Sequence, residues 1–471
     1  MIYSNNPRPG SLKSLSDAVP VPFWLDDPAR PDPKPLLNKN ISTDLLIVGA
    51  GYTGLWTALL AKELDPSRVV VLLEAGEVAT GASGRNGGFV DASITHGFFN
   101  GLSRWPREIA ILEKIGEANL DAIEATIQRL GIQCDYRRVG EIDVATEPYL
   151  LDEFKEALKL TEAYDLKYQY FNREQLHEIV QSPIFLGGIK RPNSALVNPA
   201  QLAWGLRKAC LDLGVQLYEK TPVTKIEEEK DAVVAHTPHG RVRAHRVALA
   251  TNAFPPLLKR ISYYIVPVYD YALMTEPLSS SQRDSIGWYG REGLSDGNRQ
   301  FHYFRTTADG RILWGGYDAV YHWNNGFGPH LEQRPASFAR LAEHFFQAFP
   351  QLEGIRFTHA WGGAIDTCSR FSPFWGTAHH GRIAYSMGYT GLGVGASRFG
   401  ALVMLDLLDA RQTERTALEF VKTKPLPFPP EPLRSIGIKM SQWSIRQADE
   451  NEGRENLWLK AMDWVGLGFD S

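Results

Sequence analysis

An apolar run that passes without alternation into paired glycines constrains this chain more than any other feature. Thr43-Asp44-Leu45-Leu46-Ile47-Val48 leads directly into Gly49-Ala50-Gly51-Tyr52-Thr53-Gly54. Apolar residues on both faces of a short segment predict a buried parallel strand, here entering a tight turn. Leu55 to Leu64 reads as a helix closed by Asp65-Pro66, and Val69 to Leu73 as a second apolar strand ending on Glu74. Together these form one βαβ unit. Gly49 permits the turn, Gly51 lets a pyrophosphate approach the backbone, and Gly54 lets helix pack on strand. The pyrophosphate then sits at a helix N-terminus, where free N–H groups and the dipole favour negative charge. Glu74, 20 residues beyond Gly54, is placed to accept from ribose hydroxyls. The unit predicts a dinucleotide site on a Rossmann-type sheet.

Two further glycine clusters select FAD over a nicotinamide. One is Thr80-Gly81-Ala82-Ser83-Gly84-Arg85-Asn86-Gly87-Gly88-Phe89, soon after the acid. The other is Gly388-Tyr389-Thr390-Gly391-Leu392-Gly393-Val394, which opens a helix. A flavin ring needs backbone close to one face, room for substrate on the other, and a positive dipole at its N1–C2=O edge. A helix starting near Gly391 supplies that dipole and stabilises the reduced ring.

The rest of the chain gives the organisation. Leu112, Ile115, Asn119, Ile123, Ile127 and Leu130 are spaced three or four apart and predict a helix over 105–131. Asn198, Pro199 and Gly214 mark a second helix as N-cap, first turn and terminator. Short strands over 222–228, 231–237 and 241–245 with a Pro238-His239-Gly240 turn form a meander before the strand Val247 to Ala250. Arg299 to Thr306 and Arg311 to Gly316 flank Ala308-Asp309-Gly310 as a hairpin, followed by a helix over 334–349.

The predicted class is α/β with an α+β substrate part: a parallel sheet with an inserted meander, and a second mixed or antiparallel sheet. Residues 1–40, rich in Pro and Asp, form an extended arm, part of which Phe23 and Trp24 would pack on the body. Residues 41–100, 190–255 and 361–410 form a discontinuous FAD domain. Residues 101–189 and 256–360 form the substrate part, and 411–471 a tail. In that tail Leu457, Met462, Trp464, Val465, Leu467 and Phe469 lie close together. They read as a docking surface on the body rather than a dimer or membrane contact, since no basic face accompanies them.

Composition excludes other classes. A net charge of −4 and the lack of any Lys/Arg block give no reason to expect nucleic acid. Cys134, Cys210 and Cys368 are too few and too far apart for a disulfide framework or a zinc site, so no metal is expected. No signal peptide and no apolar run of membrane-spanning length is read, so the expected compartment is cytoplasmic. The oligomeric state is not legible.

With those residues in view, the chain resembles the D-amino-acid-oxidase-like (DAO) superfamily of FAD-dependent oxidoreductases. Within it, the nearest resemblance is to the gamma-glutamylputrescine-oxidoreductase-like, amine-oxidising branch. The match is carried by DLLIVGAGYTGLWTA, LLEAG, ATGASGRNGG, ALATNAF, AWGGAIDTCSRFSPFWG and YSMGYTGLGVGASRFGA, spanning about 44 to 409. The resemblance implies that Gly49, Gly51, Tyr52, Thr53 and Gly54 hold the pyrophosphate and Glu74, with Ala75, the ribose. Ser83, Arg85, Asn86, Gly87 and Gly88 would run beneath the flavin, Val223 would meet the adenine, and Thr251 and Gly363 would join the cofactor contacts. Gly391, Leu392, Gly393 and Val394 would meet the pyrimidine edge.

Two departures from covalent members such as sarcosine oxidases matter. Where they tether FAD through cysteine this chain has Gly363, and Cys368 falls where relatives carry threonine, so non-covalent FAD is expected. Where they carry a lysine near the flavin, the strand ILWGGYD offers Trp314, leaving the electron acceptor open between oxygen and another. The substrate is expected to be a small-molecule amine, primary or secondary, oxidised at its C–N bond to an imine by hydride transfer to flavin N5. Its candidate contacts are Tyr269, His302, Tyr303, Arg305, Trp361 and Tyr389, with Tyr271 nearby; each aromatic is equally compatible with simple packing. Asp270 and Asp318 either anchor a distal cation or are solvated. Arg305 keeps open a sarcosine- or amino-acid-type oxidase acting on a carboxylate-bearing amine, and a non-catalytic or RNA-modifying flavoprotein is the third alternative.

Overall fold

The computed structural model describes residues 3–464 and 467. Ile41–Val48 forms the central strand, with Val70–Leu73 and then Gln216–Tyr218 beside it in parallel on one side. On the other side Gly240–Leu249 and then Ile383–Met387 add in parallel, and Phe374–Ala378 closes the edge antiparallel. Burial on both faces explains why these strands read as continuous apolar runs. The predicted meander is present as Lys225–Glu228 and Val233–Thr237, hairpinned onto the start of Gly240–Leu249. The segment expected as two strands before Ala250 is one long strand, because it pairs with the central strand continuously from Val242 to Leu249 while its first half also carries the meander.

The second sheet is mixed. From one edge it runs Val320–Tyr321, Val266–Thr275, Ile312–Gly316, His302–Thr306, Gly293–Asp296, Glu141–Ala145, Gly187–Arg191 and Gln169–Asn172. The expected hairpin is its centre, with His302 opposite Gly316 and Thr306 opposite Ile312. All its neighbours pair antiparallel except Gly293–Asp296 with Glu141–Ala145. The helix Pro335–Ala348 covers one face, burying Phe338, Leu341, Ala342 and Phe345 against Trp314 and Phe304.

Two segments sit elsewhere than the sequence division places them. Phe357–Thr367 pairs along Val266–Thr275, so residues 361–367 belong to the second sheet, and the chain returns to the first only at Phe374. The helix Ile109–Leu130 packs Leu112, Leu120, Ile123 and Ile127 into the core that holds Leu55, Leu59 and Val394. Its apolar stripe finds the helix Gly393–Leu408, and Asn119 within that stripe donates to Gly395 O at 2.9 Å. Polarity alone could not choose between the two cores.

The arm is not simply extended: Pro9–Lys13 is helical, and Trp24 is buried and donates from Nε1 to Asn86 O at 2.9 Å. At the other end, the helices Leu433–Glu450 and Leu457–Trp464 lie on the body. Asp449 accepts from the backbone N–H of Arg299 and Gln300, both at 3.0 Å. In the tail cluster Leu457 and Trp464 are exposed, and Val465 and Phe469 lie outside the described residues.

Candidate active site

The strands of the first sheet end at a cavity of about 1740 Å³ that continues to the second sheet and to the C-terminal helix. It exceeds the roughly 300–1,000 Å³ of a drug-sized ligand site. Gly49, Gly51, Tyr52, Thr53, Glu74, Ala75, Ser83, Val223 and Thr251 line one end. The strand-to-helix turn admits only glycine at two points. Gly49 has φ +101°, and a Cβ there would stand 2.4 Å from Ala250 O; a Cβ on Gly54 would stand 1.8 Å from Gly49 O. Gly54 therefore packs helix on strand and does not reach the cavity wall. Glu74 Oε2 accepts from Ala50 N at 2.7 Å and Oε1 from Gly76 N at 2.9 Å, which leaves lone pairs on both oxygens. Burial raises its pKa, against the pull of those two N–H groups.

The loop after this acid is held rigid by its own polar groups. Asn86 Nδ2 donates to Ala82 O and Ser83 O at 3.0 Å, and Asn86 Oδ1 accepts from Gly88 N at 2.8 Å. Ser83 Oγ accepts from Tyr52 N at 2.9 Å, joining the loop to the first helix. Arg85 pairs with Glu332 at 2.8 Å and donates to Thr80 O and Gly362 O. Trp361 donates from Nε1 to Arg85 O at 2.9 Å. Arg85, Asn86 and Gly87 line the cavity, as do Trp361 and Gly363. Gly88 does not, because it packs against Val197 O.

Gly391, Leu392, Gly393 and Val394 line the cavity at the start of the helix Gly393–Leu408, whose N-terminus brings positive partial charge. The turn before it rests on Asp366, a residue that sequence reasoning passed over. Buried Asp366 accepts from Gly388 N at 2.6 Å, and burial raises its pKa to about 7. Its sequence signal was an acid in an otherwise apolar strand, AIDT, aimed at a glycine turn. Tyr389 lines the cavity, but its hydroxyl is engaged with Ser386 at 2.6 Å and Thr53 at 3.1 Å, tying the two glycine segments together.

The second sheet contributes Asp270 and Tyr303, whose hydroxyl donates to Asp270 Oδ2 at 2.7 Å. Desolvation raises the Asp270 pKa to about 6, with the Tyr303 hydrogen bond holding it down. Asp270 stands opposite Gly363 in the ladder. Tyr271 touches the cavity while its hydroxyl donates to Leu331 O at 2.9 Å. Asp318 is not solvated: it is 9% exposed and accepts from Ser337 Oγ at 2.6 Å and Arg334 at 3.3 Å, and it also pairs with Arg340.

Three of the expected substrate contacts lie away from the cavity wall. Tyr269 is in the core, its hydroxyl accepting from Gly328 N at 2.9 Å; strand alternation turns it away when Asp270 faces inward. His302 is fully buried between Asp296 at 2.6 Å and His344 at 2.9 Å, on the opposite face from Tyr303. Arg305 is 1% exposed; its Nη1 donates to the carbonyls of Gly87, Gly88 and Val197, and its guanidinium lies 5.6 Å over Trp24. Its Nη1 thus ties the glycine loop to the backbone at Val197.

A dinucleotide with a flavin ring fits these residues: a glycine cradle at a helix N-terminus, a carboxylate with free lone pairs, and two backbone segments flanking a wide cavity. Among the described residues no His/Cys/Asp/Glu group could hold a metal ion, and the three cysteines are free and buried.

Comparison with known proteins agrees. The FAD dependent oxidoreductase family (DAO) matches residues 44–407. The chain is 30% identical over 420 residues to the gamma-glutamylputrescine oxidoreductase of Escherichia coli K12, covering 83% of this chain and 89% of that protein. It is 29% identical over 403 residues to the probable oxidoreductase OrdL of Haemophilus influenzae, covering 82% and 87%. Among solved structures, glycine oxidase from Geobacillus kaustophilus superposes with a TM-score of 0.68 at 20% identity, covering 81% of this chain and 98% of that one. This chain belongs to the DAO family of FAD-dependent oxidoreductases.

Proposed function

We propose that the chain oxidises the C–N bond of a primary or secondary amine to an imine, with FAD bound non-covalently. The carrying observation is the Asp270–Tyr303 pair on the cavity wall, opposite Gly363 and near Trp361, with Arg305 committed elsewhere. A carboxylate there suits a cationic amine, and no guanidinium is free at the position where Arg305 was expected to take an α-carboxylate. The E. coli relative is named for an amine, gamma-glutamylputrescine, which supports the same reading.

Bound FAD supplies the two-electron acceptor that takes hydride from the carbon beside nitrogen. Gly49, Gly51, Tyr52 and Thr53 would hold the pyrophosphate at the helix N-terminus, Glu74 the ribose, and Val223 the adenine. Arg85, Asn86 and Gly87 would support the ring, and the helix N-terminus at Gly393 would stabilise the negative charge that reduction brings. Asp270 pairs with the incoming ammonium and Tyr303 fixes the carboxylate. Trp361 and the apolar wall desolvate the amine and favour its neutral form, whose lone pair must be free for the C–H bond to give up hydride. Gly363 offers no sulfur, so FAD should leave intact on acid denaturation. The test is anaerobic bleaching of the yellow protein across simple amines and amino acids. Bleaching by amino acids and by no simple amine would overturn the assignment, and colour remaining on the precipitated chain would overturn non-covalent binding.

A further inference from the structure

The turn that carries the flavin-edge residues is built around a carboxylate. Asp366 is 1% exposed, lines the cavity and stands near the end of the strand Phe357–Thr367. Its charge is met by backbone: Gly388 N donates at 2.6 Å, and the N–H groups of Tyr389 and Thr390 turn toward it as well. Gly388 and Thr390 lie in the left-handed region, at φ +80° and +49°, on either side of Tyr389. Such alternation points successive N–H groups to one side and makes a concave seat for an anion. Here the chain fills that seat with its own side chain. Across the ladder Asp366 faces Pro267, which brings no charge. The titratable side chains that face it are Tyr389 and Cys368; burial raises both, so neither ionises near neutrality. Arg370 acts on Cys368 but donates to Ser372 O, Thr423 O and Pro373 O. Gly391 to Val394 follow the turn directly and line the same cavity at the N-terminus of the helix Gly393–Leu408. The carboxylate is thus joined, through three residues, to the N–H groups that meet the charge of the reduced ring.

We propose that Asp366 is a positioning residue that takes up a proton when the flavin is reduced, so that the charge gained by the ring is offset at the turn that holds it. This rests on FAD binding and not on which amine is oxidised. Two electrons and one proton reach the ring as hydride from carbon, which leaves one negative charge toward its N1–C2=O edge. A second proton, drawn from water through the cavity, forms an O–H bond on Asp366 and cancels the carboxylate charge. Its other oxygen can keep the Gly388 N–H. Burial already raises the Asp366 pKa to about 7, and a like charge nearby raises it further, so the uptake falls in the neutral range. A substrate ammonium sheds one proton before hydride leaves its carbon, and uptake at Asp366 balances that release within the same range.

The test reads the midpoint potential of the FAD-loaded full chain by anaerobic equilibration with reference dyes, without any amine, from pH 5 to 10. Wild type, Asp366→Asn and Asp270→Asn are compared. One proton per two electrons gives a shallow fall with pH at both ends of the range, and a second proton steepens it only between the two Asp366 ionisations. Across that window, about pH 7 to 8, the wild type should lose about tenfold in the ratio of reduced to oxidised flavin relative to Asp366→Asn, which is about 30 mV for a two-electron couple. Asp270→Asn should keep the steep stretch. A purely structural role for Asp366 would shift the whole line and leave its shape unchanged, so a steep stretch that survives in Asp366→Asn overturns the proposal. A steep fall that continues to the acid end places the proton on the ring and overturns it as well. If Asp366→Asn fails to retain FAD, the other two proteins still decide: a steep stretch near neutrality in both supports uptake at Asp366. Its absence from the wild type, or its loss in Asp270→Asn, refutes it.

Discussion

Replacing Tyr303 by Phe removes one hydrogen bond and little volume. Tyr303 donates to Asp270 Oδ2 at 2.7 Å, in a place where desolvation raises the carboxyl pKa to about 6. A hydrogen bond to a charged acceptor contributes about 1.5–3 kcal/mol, and about 1.4 kcal/mol corresponds to one pH unit. Without the donor the Asp270 pKa should therefore rise by about 1–2 units. The ionised form pairs with the ammonium, so capture of amine should strengthen as pH rises through the Asp270 pKa and weaken below it. In the wild type this limb lies near pH 6; in Tyr303→Phe it should move to about 7–8. The assay is stopped-flow flavin bleaching under anaerobic conditions, at limiting and saturating amine, from pH 5 to 10. The substrate's own ionisation contributes a limb common to both proteins, so only the difference between profiles reports Asp270. Asp270→Asn should lose the lower limb altogether. Coincident lower limbs in wild type and Tyr303→Phe would refute the reasoning, since the hydroxyl would then have no hold on the ionisation that governs amine capture.

Glu74→Ala should lower FAD affinity about 10- to 100-fold without unfolding the chain, measured by titration of the apoprotein; unchanged affinity would remove Glu74 from the ribose. Arg305→Met removes the donor to the carbonyls of Gly87 and Val197, while Gly88 O keeps the Val197 N–H, so the melting temperature and FAD retention should both fall. The preference between amines and amino acids should stay as it was, and a selective loss of amino-acid turnover would instead place Arg305 on the substrate. Gly54→Ala puts a Cβ 1.8 Å from Gly49 O, so the purified chain should be colourless or insoluble. A yellow, stable variant would mean that the helix can shift away from the strand.

The local dinucleotide unit and its cofactor were determined by sequence alone. A parallel strand buried on both faces, a turn with no room for Cβ and a helix N-terminus are dictated within about 30 residues, because each requirement acts on neighbours in the chain. The helix ends at Asn198, Pro199 and Gly214 and the hairpin over 299–316 are local in the same sense. Packing partners were decided only in three dimensions. The stripe on Ile109–Leu130 is apolar in either core, and only the fit of Asn119 to Gly395 O and of its neighbours to the glycine helix selects the first. Substrate-side residues were the least legible, because a one-residue step along a strand reverses the face: Tyr303 and Asp270 point into the cavity while His302 and Tyr269 point away. Arg305 shares the face of Tyr303 but is spent on carbonyls that arrive from residues 87, 88 and 197. No spacing within the chain encodes that meeting. Distant segments meet because their apolar faces must be buried together, and the polar groups carried with them settle against whichever partners that burial provides.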